Sequence, residues 1–255
     1  MNERTPLLKV EDLTKTFRLQ GREDVQAVRE VSFAISSGEC VGLIGESGSG
    51  KTTLVNLITG LEPATAGSVI LDGEDVTKLK GKALRLAWRK VQVVFQTPAE
   101  SFDPRRTLGD GITESLRNAG VSKAETMERA AQMLERCGLT PDFLRRYPHE
   151  VSGGQCQRAA IARALMIEPK LLICDEATSA LDVTIQAEII ALLQRLRREL
   201  DMTILFVCHD IALVQQFCDR VLVMYRGALV EQGEPTAVIQ SPKNPYTKEL
   251  IDSIL

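Results

Sequence analysis

A glycine-rich stretch close to residue 50 has the composition and spacing of a phosphate-binding loop. It runs Gly45-Glu46-Ser47-Gly48-Ser49-Gly50-Lys51-Thr52 and matches G-x-x-x-x-G-K-[ST] at every required position. Glycines allow the tight turn in which successive N–H groups point at one anion. Lys51 can reach the β- and γ-phosphates of a nucleotide, and the Thr52 hydroxyl can coordinate Mg²⁺. A chance Gly-Ser loop is the alternative, and the strand and helix patterns on either side disfavour it.

A pair of acidic residues follows an apolar run later in the chain. The run LLIC ends in Asp175, and Glu176 comes directly after it. Four apolar residues predict a buried strand whose last carboxylate lies at its C-terminal edge, where ligands bind in open α/β sheets. We expect Asp175 to hold Mg²⁺ and Glu176 to orient or deprotonate an attacking water. Solvated charge is the alternative for adjacent acids, and the phosphate loop in the same chain disfavours it.

The elements around these residues predict a βα unit preceded by antiparallel strands. Alternation in LLKVEDLTKTF, VREVSFAIS and GSVILDG predicts strands, the last ending in a turn at Asp72-Gly73. CVGLIG is a compact apolar run that enters the glycine-rich loop. TTLVNLITGL has helical spacing, and its apolar residues are Leu54, Leu57, Ile58 and Leu61.

The remaining segments divide into a helical stretch and an alternating α/β stretch. KAETMERAAQMLERCGL and PDFLRRYP are typical of short amphipathic helices joined by Gly and Pro. After them, LLICDEAT, IQAEIIALLQRLRREL, TILFVCHD, IALVQQFCD and RVLVMYRG alternate between strand and helix patterns. The predicted fold is α/β, a P-loop NTPase core with a mostly parallel sheet, an N-terminal antiparallel β subdomain and an inserted helical subdomain. The predicted limits are 1–97 and 159–232 for the core, 98–158 for the helical subdomain and 233–255 for a tail with a short closing helix.

Composition narrows the possible partners. The 255 residues carry a formal net charge of -3, so the sequence lacks the basic balance that nucleic-acid binding favours. No apolar run approaches the roughly 20 residues that cross a bilayer, and MNERTPLLKVED has no signal-peptide core. We therefore expect a cytoplasmic chain that reaches a membrane only through a partner. The 6 cysteines are scattered without a C-x-x-C pair, which favours structural thiols over a metal site or a disulfide.

A second glycine-rich motif identifies the family. A phosphate loop alone permits kinases, GTPases, helicases and motors, but Val151-Ser152-Gly153-Gly154-Gln155 resembles the signature motif of ABC ATPases, usually written LSGGQ. Serine and glycines at a helix N-terminus form another anion nest. The resemblance implies a dimer that holds two ATP molecules, each between the phosphate loop of one protomer and the signature of the other.

Further motifs of this family occur in the expected order. Phe17 in LTKTF corresponds to the aromatic residue that stacks on adenine, where most relatives have Tyr, and a core position is the alternative. Gln96 in VVFQTP corresponds to the Q-loop glutamine that senses Mg²⁺ and the γ-phosphate and faces the membrane partner. Ser179-Ala180-Leu181-Asp182 corresponds to the D-loop at the dimer interface, and His209 to the switch histidine that contacts the γ-phosphate. The resemblance implies that the ATP-binding residues are Phe17, Gly45 to Thr53 and Gln96, the Mg²⁺ ligands Thr52, Gln96 and Asp175, and the catalytic residues Lys51, Glu176 and His209.

Three segments resemble the peptide and nickel importer branch of ABC transporters. They are FQTPAESFDPRRTLGDGITESL, YPHEVSGGQ and NPYTKELIDSIL. This resemblance implies transmembrane permease subunits, a second and often non-identical ATPase, and an indirectly acting extracytoplasmic solute-binding protein. It places the chain on the cytoplasmic face of the cell membrane. Some relatives extend past this tail with further cysteines. This sequence stops before that extension, so we expect no iron–sulfur cluster.

Several questions stay open at this level. Peptides and nickel or other metal chelates are both compatible with the branch. An ABC exporter ATPase shares the same nucleotide motifs, and a soluble non-transport ABC ATPase is a further alternative. The soluble types usually carry two cassettes, long coiled coils or zinc hooks, and this sequence has one cassette and neither insertion.

Overall fold

The computed structural model describes residues 6–18, 23–179 and 181–253. The strands in these ranges are β1 (Pro6–Phe17), β2 (Val25–Ser36), β3 (Cys40–Ile44), β4 (Ala66–Leu71), β5 (Glu74–Asp75), β6 (Val91–Val94), β7 (Leu171–Asp175), β8 (Thr203–Val207), β9 (Arg220–Tyr225) and β10 (Ala228–Gly233). The α-helices are α1 (Lys51–Ile58), α2 (Gly81–Ala87), α3 (Leu108–Asn118), α4 (Lys123–Arg136), α5 (Gly153–Leu165), α6 (Val183–Leu200), α7 (Ile211–Phe217), α8 (Pro235–Gln240) and α9 (Pro245–Asp252).

The strands form two sheets, as the sequence predicts. The first is antiparallel with the order β2-β1-β4-β5. The second has the order β10-β9-β3-β8-β7-β6, and all of its neighbouring pairs are parallel except β10 with β9. β3, β7 and β8 are buried at every position, since helices and the first sheet cover both faces. The predicted α/β fold is confirmed, and the antiparallel edge strand β10 is an addition that the sequence patterns did not indicate.

The helix after the glycine-rich loop is shorter than predicted. α1 ends at Ile58, and Leu61, which the periodicity placed on its apolar face, lies beyond the helix with 52% of its surface exposed. Thr59 caps the helix, and Gly60 then adopts a left-handed φ of 69°. A left-handed glycine is a common helix stop, and it turns the chain away before Leu61 can join the apolar face.

The helical region packs the three α-helices α3, α4 and α5 together, and their buried side chains are continuous with the core beneath the main sheet. Two 3₁₀ turns, at Pro141–Arg145 and Pro148–Glu150, connect α4 to α5, and the first replaces the helix predicted for PDFLRRYP. Residues buried in this core are Leu108, Ile112, Ala130, Leu134 and Ile161. The predicted limit between residues 158 and 159 lies inside α5, and the domain limits stay a prediction.

The tail contains two helices, where the sequence predicted one. α8 and α9 follow β10, and α9 buries Tyr246, Leu250 and Ile251 against the core. No helix in the described ranges has both the length and the apolar character required to pass through a bilayer.

The cysteines lie in the interior of the fold. All six, at 40, 137, 156, 174, 208 and 218, are buried and free. Burial raises the pKa of Cys156 to about 11 and that of Cys137 to about 12, so both thiols stay protonated near neutral pH.

Candidate nucleotide site

The glycine-rich loop connects the buried strand β3 to α1 in a form that only glycine allows. Gly45 has φ 151° and Gly50 has φ 105°. A Cβ atom on Gly45 would lie 2.2 Å from the carbonyl oxygen of Met224, and one on Gly50 would lie 2.3 Å from that of Ala27. No side chain caps α1, so the amides of its first turn are available to an anion.

Lys51 places its ammonium inside this loop. Its Nζ donates hydrogen bonds to the carbonyl oxygens of Gly45 at 2.7 Å and Glu46 at 2.9 Å. Burial lowers the pKa of Lys51, and the carboxylates of Glu176 and Asp175 act in the opposite direction. The loop therefore presents a positive charge that is held by its own carbonyl groups and is close to two acids.

Asp175 is the last residue of β7 and is almost fully buried. Its Oδ1 is inaccessible and makes no hydrogen bond to the described part of the chain. Burial, and then the neighbouring Glu176, raise the pKa of Asp175 to about 6, while Lys51 and the Thr52 hydroxyl act to lower it. An inaccessible carboxylate oxygen without a partner is costly in a protein alone and is suited to a bound cation.

Glu176 occupies a backbone conformation that is unusual for a residue with a side chain. Its φ of 50° lies in the left-handed region, and its N–H donates to the carbonyl oxygen of Val207 in β8 at 2.9 Å. Such a conformation costs about 1–2 kcal/mol, and it persists where the surrounding structure imposes it, often at functional sites. The turn at Glu176 ends the strand and directs this carboxylate into the cleft that Asp175 also lines.

A cleft of about 580 Å³ brings five of the predicted residues together, namely Ser47, Thr52, Gln96, Asp175 and Glu176. Its lining residues are Ser47, Thr52, Phe95, Gln96, Thr97, Glu100, Ser101, Arg163, Asp175 and Glu176. A second cleft of about 580 Å³ continues along the loop. Its lining residues are Val25, Gln26, Ala27, Arg29, Ser47, Gly48, Gly50, Lys51, Thr52, Thr53, Glu176, Arg226 and Gly227.

Three arginines along these clefts were missed by the sequence analysis. Arg29 comes from β2, Arg226 from the turn between β9 and β10, and Arg163 from α5. None of them stands in a motif, because each reaches the clefts through the packing of an element distant in sequence. Their positive charge suits an anionic ligand.

The donors at this site fit Mg²⁺. Thr52, Gln96 and Asp175 line one cleft and offer a hydroxyl, an amide and a carboxylate oxygen. Mg²⁺ prefers oxygen ligands and commonly takes one or two carboxylates together with substrate phosphates and water. The unpartnered Oδ1 of Asp175 is the clearest position for such a cation.

Five predicted residues of the ATP site lie outside the lining of both clefts as far as the described residues define them: Phe17, His209 and, within the loop, Gly45, Glu46 and Ser49. Phe17 is the last residue of β1 and is half-buried, with the Lys15 ammonium 4.8 Å from its ring centroid. His209 is exposed and follows β8. Their assigned contacts with adenine and the γ-phosphate stay predictions.

The signature motif is also separate from both clefts. Ser152 caps α5: its Oγ accepts from the Gln155 N–H at 3.3 Å, and its own N–H donates to Gln155 Oε1 at 3.0 Å. Ser152 and Gly153 are exposed, and Val151 is half-buried. A Cβ atom on Gly154 would lie 2.6 Å from Ile185 of α6, which shows how closely the two helices approach.

The D-loop joins the acidic pair to α6. Ser179 Oγ donates to the Glu176 carbonyl oxygen at 2.9 Å, and Asp182 caps α6 by accepting from the Ile185 N–H at 3.0 Å. Leu181 lies 3.6 Å from the Cβ position of Gly153. The predicted D-loop residue Ala180 lies outside the described residues. The segment therefore links the cleft to the start of the signature helix.

The fold and the phosphate loop with its acidic partner define a P-loop nucleoside triphosphatase. Residues 28–179 match the family model for the ABC transporter. The chain is 43% identical over 261 residues to the oligopeptide transport ATP-binding protein OppF of Escherichia coli, covering 98% of this chain and 78% of that protein. It is 42% identical over 264 residues to OppF of Salmonella typhimurium, covering 100% and 79%. The dimeric post-hydrolysis state of the ATP-binding cassette MJ0796 bound to ADP and Pi superposes with a TM-score of 0.81 at 32% identity, covering 89% of this chain and 98% of that one.

The chain belongs to the ABC transporter family. It is an ATP-binding cassette with ATPase activity, and ATP and Mg²⁺ are its cofactors.

Proposed function

We propose that this chain is the ATP-hydrolysing subunit of an importer that takes up peptides through a separate membrane permease. Its relatives in Escherichia coli and Salmonella typhimurium are named oligopeptide transport ATP-binding proteins, and the alignments extend over nearly the whole chain. These names favour peptides over nickel or metal chelates. A relative from Brucella ovis, 44% identical over 251 residues, is named a putative peptide import ATP-binding protein, which favours import over the exporter and soluble alternatives. The chain attaches to the cytoplasmic face of the membrane through its permease.

The observation that carries the proposal is the convergence of four groups in one cleft. Thr52, Gln96, Asp175 and Glu176 come from three separate segments and line the same space. In the proposed site, the loop from Gly45 to Thr53 binds the phosphates. Thr52, Gln96 and Asp175 would hold Mg²⁺, which would neutralise phosphate charge when bound.

Two residues carry the chemistry of hydrolysis in this proposal. Lys51 stays bonded to the loop carbonyls and donates its remaining N–H to the β- and γ-phosphate oxygens, which stabilises the charge that moves during the reaction. Glu176 accepts a proton from the water that attacks the γ-phosphate, and its fixed backbone turn keeps the carboxylate at the cleft. His209 contacts the γ-phosphate, and Phe17 stacks on adenine.

The signature motif serves the nucleotide of a second ATPase subunit. Val151 to Gln155 form a helix start that is exposed or half-exposed except at Gly154 and is separate from the clefts of their own chain. In a dimer such as that of MJ0796, each signature can cap the ATP of the other protomer, with the D-loop at the interface. The partner is a second copy or a similar ATPase.

The dimer converts hydrolysis into transport. ATP bridges the two protomers and closes them, and hydrolysis with phosphate release lets them separate. Closure turns the helical region, and the surface near Gln96 passes that movement to a cytoplasmic segment of the permease. An extracytoplasmic solute-binding protein delivers the peptide and acts on this chain only indirectly.

Co-purification tests the transport function. Tagged Glu176→Gln protein is extracted from native membranes in detergent with ATP, and its partners are identified by mass spectrometry. We expect multi-span permease subunits, with a second ATPase if the dimer is mixed, and none of these partners in a control purification from cells that carry the untagged protein. Recovery of soluble partners alone would refute the transport function and leave the ATPase activity standing.

A further inference from the structure

The C-terminal helix α9 is held firmly against the nucleotide-binding core. Glu231 of β10 accepts hydrogen bonds from the N–H groups of Lys243 at 2.8 Å and Asn244 at 3.0 Å. The Asn244 side chain then caps α9 by accepting from the Tyr246 N–H at 2.9 Å. These bonds fix the start of the helix, and therefore the position of Tyr246, relative to the main sheet.

Tyr246 reaches the phosphate loop from this helix. Its ring is only 7% exposed and stacks on Tyr225, at the end of β9, with 3.9 Å between ring centroids. Its hydroxyl oxygen accepts a hydrogen bond from the N–H of Glu46 at 3.0 Å, across 200 positions of sequence. Burial raises the pKa of Tyr246, so the hydroxyl stays neutral.

This hydrogen bond and the Lys51 ammonium act on the same peptide unit. The N–H of Glu46 and the C=O of Gly45 belong to one planar trans peptide and therefore point in opposite directions. Tyr246 binds the N–H on one side, and Lys51 Nζ binds the carbonyl oxygen at 2.7 Å on the other. A rotation of this peptide would break both contacts together.

Because Gly45 is flexible, the orientation of that peptide has to be fixed by a contact from outside the loop. Its φ of 151° is open to glycine and to few other residues, and glycine has many competing conformations. The end of the loop is held separately, because the Gly227 N–H donates to the Ser49 carbonyl oxygen at 2.9 Å. Tyr246 supplies the corresponding hold at the beginning of the loop.

We propose that Tyr246 is a positioning residue for ATP binding, orienting the Gly45–Glu46 peptide so that the phosphate loop and Lys51 are preorganised. The helix α9 is then a working part of the nucleotide site. The proposal rests on the proposed function, in which this loop binds ATP. A loop that samples several peptide orientations offers the binding-competent form for only part of the time, and its apparent affinity falls by that fraction.

The test compares Tyr246→Phe with Tyr225→Phe. Both changes remove one hydroxyl and keep the stacked rings, but only Tyr246 hydrogen bonds to the loop in the described structure. For Tyr246→Phe we expect KM and Kd for ATP to rise about three- to tenfold, the loss of about one hydrogen bond, with kcat within about twofold of wild type. Tyr225→Phe should match wild type in all three.

The outcomes separate the two proposals. An unchanged KM and Kd in Tyr246→Phe, or an equal rise in both variants, would overturn the positioning role while ATP binding by wild type stands. A fall in kcat without a change in KM would also overturn it. Wild-type protein that binds no ATP would refute the proposed function and this inference with it. Thermal unfolding of all three proteins shows whether a change in KM accompanies a general loss of stability.

Discussion

The phosphate loop and the signature motif have similar composition but different local structures. Both combine serine and glycine just before a helix. In the phosphate loop, Gly50 precedes α1 in a left-handed conformation and no side chain caps the helix. In the signature, Ser152 and Gln155 cap α5 reciprocally. The first helix start is therefore open to an anion as it stands, whereas the second is satisfied within its own chain.

The two motifs also differ in what surrounds them. The phosphate loop contacts carbonyl groups of Ala27 and Met224, the amide of Gly227 and the hydroxyl of Tyr246. The signature is exposed at Ser152 and Gly153 and contacts α6 behind it. The comparison contrasts a loop that one chain holds from several sides with an exposed helix start that, in the proposed dimer, receives its ligand from the partner.

The largest expected effect comes from Glu176→Gln. Loss of a general base typically costs 10² to 10⁴ in rate, so we expect ATP turnover to fall about 10³-fold while ATP binding and dimer formation persist. Phosphate release and size-exclusion chromatography with ATP measure these effects. Glu128→Gln, an exposed change on α4, is the control and should leave turnover unchanged. Turnover within about threefold of wild type would remove Glu176 from the chemistry.

Lys51→Ala tests whether the loop is the primary ATP site. Hydrogen bonds to charged groups contribute about 1.5–3 kcal/mol, so ATP affinity should fall roughly 10- to 100-fold. Titration calorimetry measures the change, and Lys170→Ala serves as a control because that lysine is exposed and pairs with Asp72. Unchanged ATP affinity in Lys51→Ala would contradict the assignment of the phosphate loop as the primary ATP site. The loop would then no longer differ from the signature motif in this respect.

The pH dependence of stability tests the buried carboxylate. Burial raises the pKa of Asp175 from 3.8 to about 6, so the folded protein holds this proton more tightly than the unfolded chain. The protonated Asp175 therefore contributes its full stabilisation below pH 3.8, the pKa in the unfolded chain. That stabilisation is lost as the pH rises through about 6, the pKa in the folded protein. Between about pH 4 and pH 7, metal-free wild type should lose on the order of 2 kcal/mol relative to Asp175→Asn.

Chemical denaturation across this range measures the difference, and Asp252→Asn should follow wild type because that carboxylate is exposed. Mg²⁺ with ATP should reduce the loss at high pH, since the cation binds the ionised carboxylate. Parallel profiles for wild type and Asp175→Asn would show that the ionised carboxylate carries no cost in the fold.

The smallest effect, and the most direct test of the comparison, is Ser152→Ala. Ser122 caps α4 with the same geometry, accepting from the Glu125 N–H at 3.3 Å, the distance that separates Ser152 from the Gln155 N–H. Each change to Ala should cost about 1 kcal/mol in the free energy of unfolding. Only Ser152→Ala should also lower ATP turnover, by about tenfold, because it alone loses a contact to the partner's nucleotide. Equal turnover in the two variants would reduce the signature serine to a helix cap.

The fold was largely predictable because its elements have strong local patterns. Fully apolar runs predicted β3 and β7, and the glycine spacing predicted the loop between β3 and α1. The predictions failed where tertiary contacts compete with local pattern: Leu61 falls outside α1, and the antiparallel edge strand β10 follows a turn that no motif indicates. Phe17 and His209 were assigned by motif, and their positions outside the cleft linings could not be read from it.

Sequence alone indicated which groups we propose for the chemistry, since the spacing of Gly45 to Thr52 and the acids after β7 is a local requirement of phosphate and cation binding. Tertiary structure decided what holds them. Tyr246, Arg29, Arg163 and Arg226 reach the nucleotide site from elements far apart in the chain. The physical reason is that a hydrogen bond across 200 positions depends on how β9, β10 and α9 pack, and packing leaves no fixed spacing in the sequence.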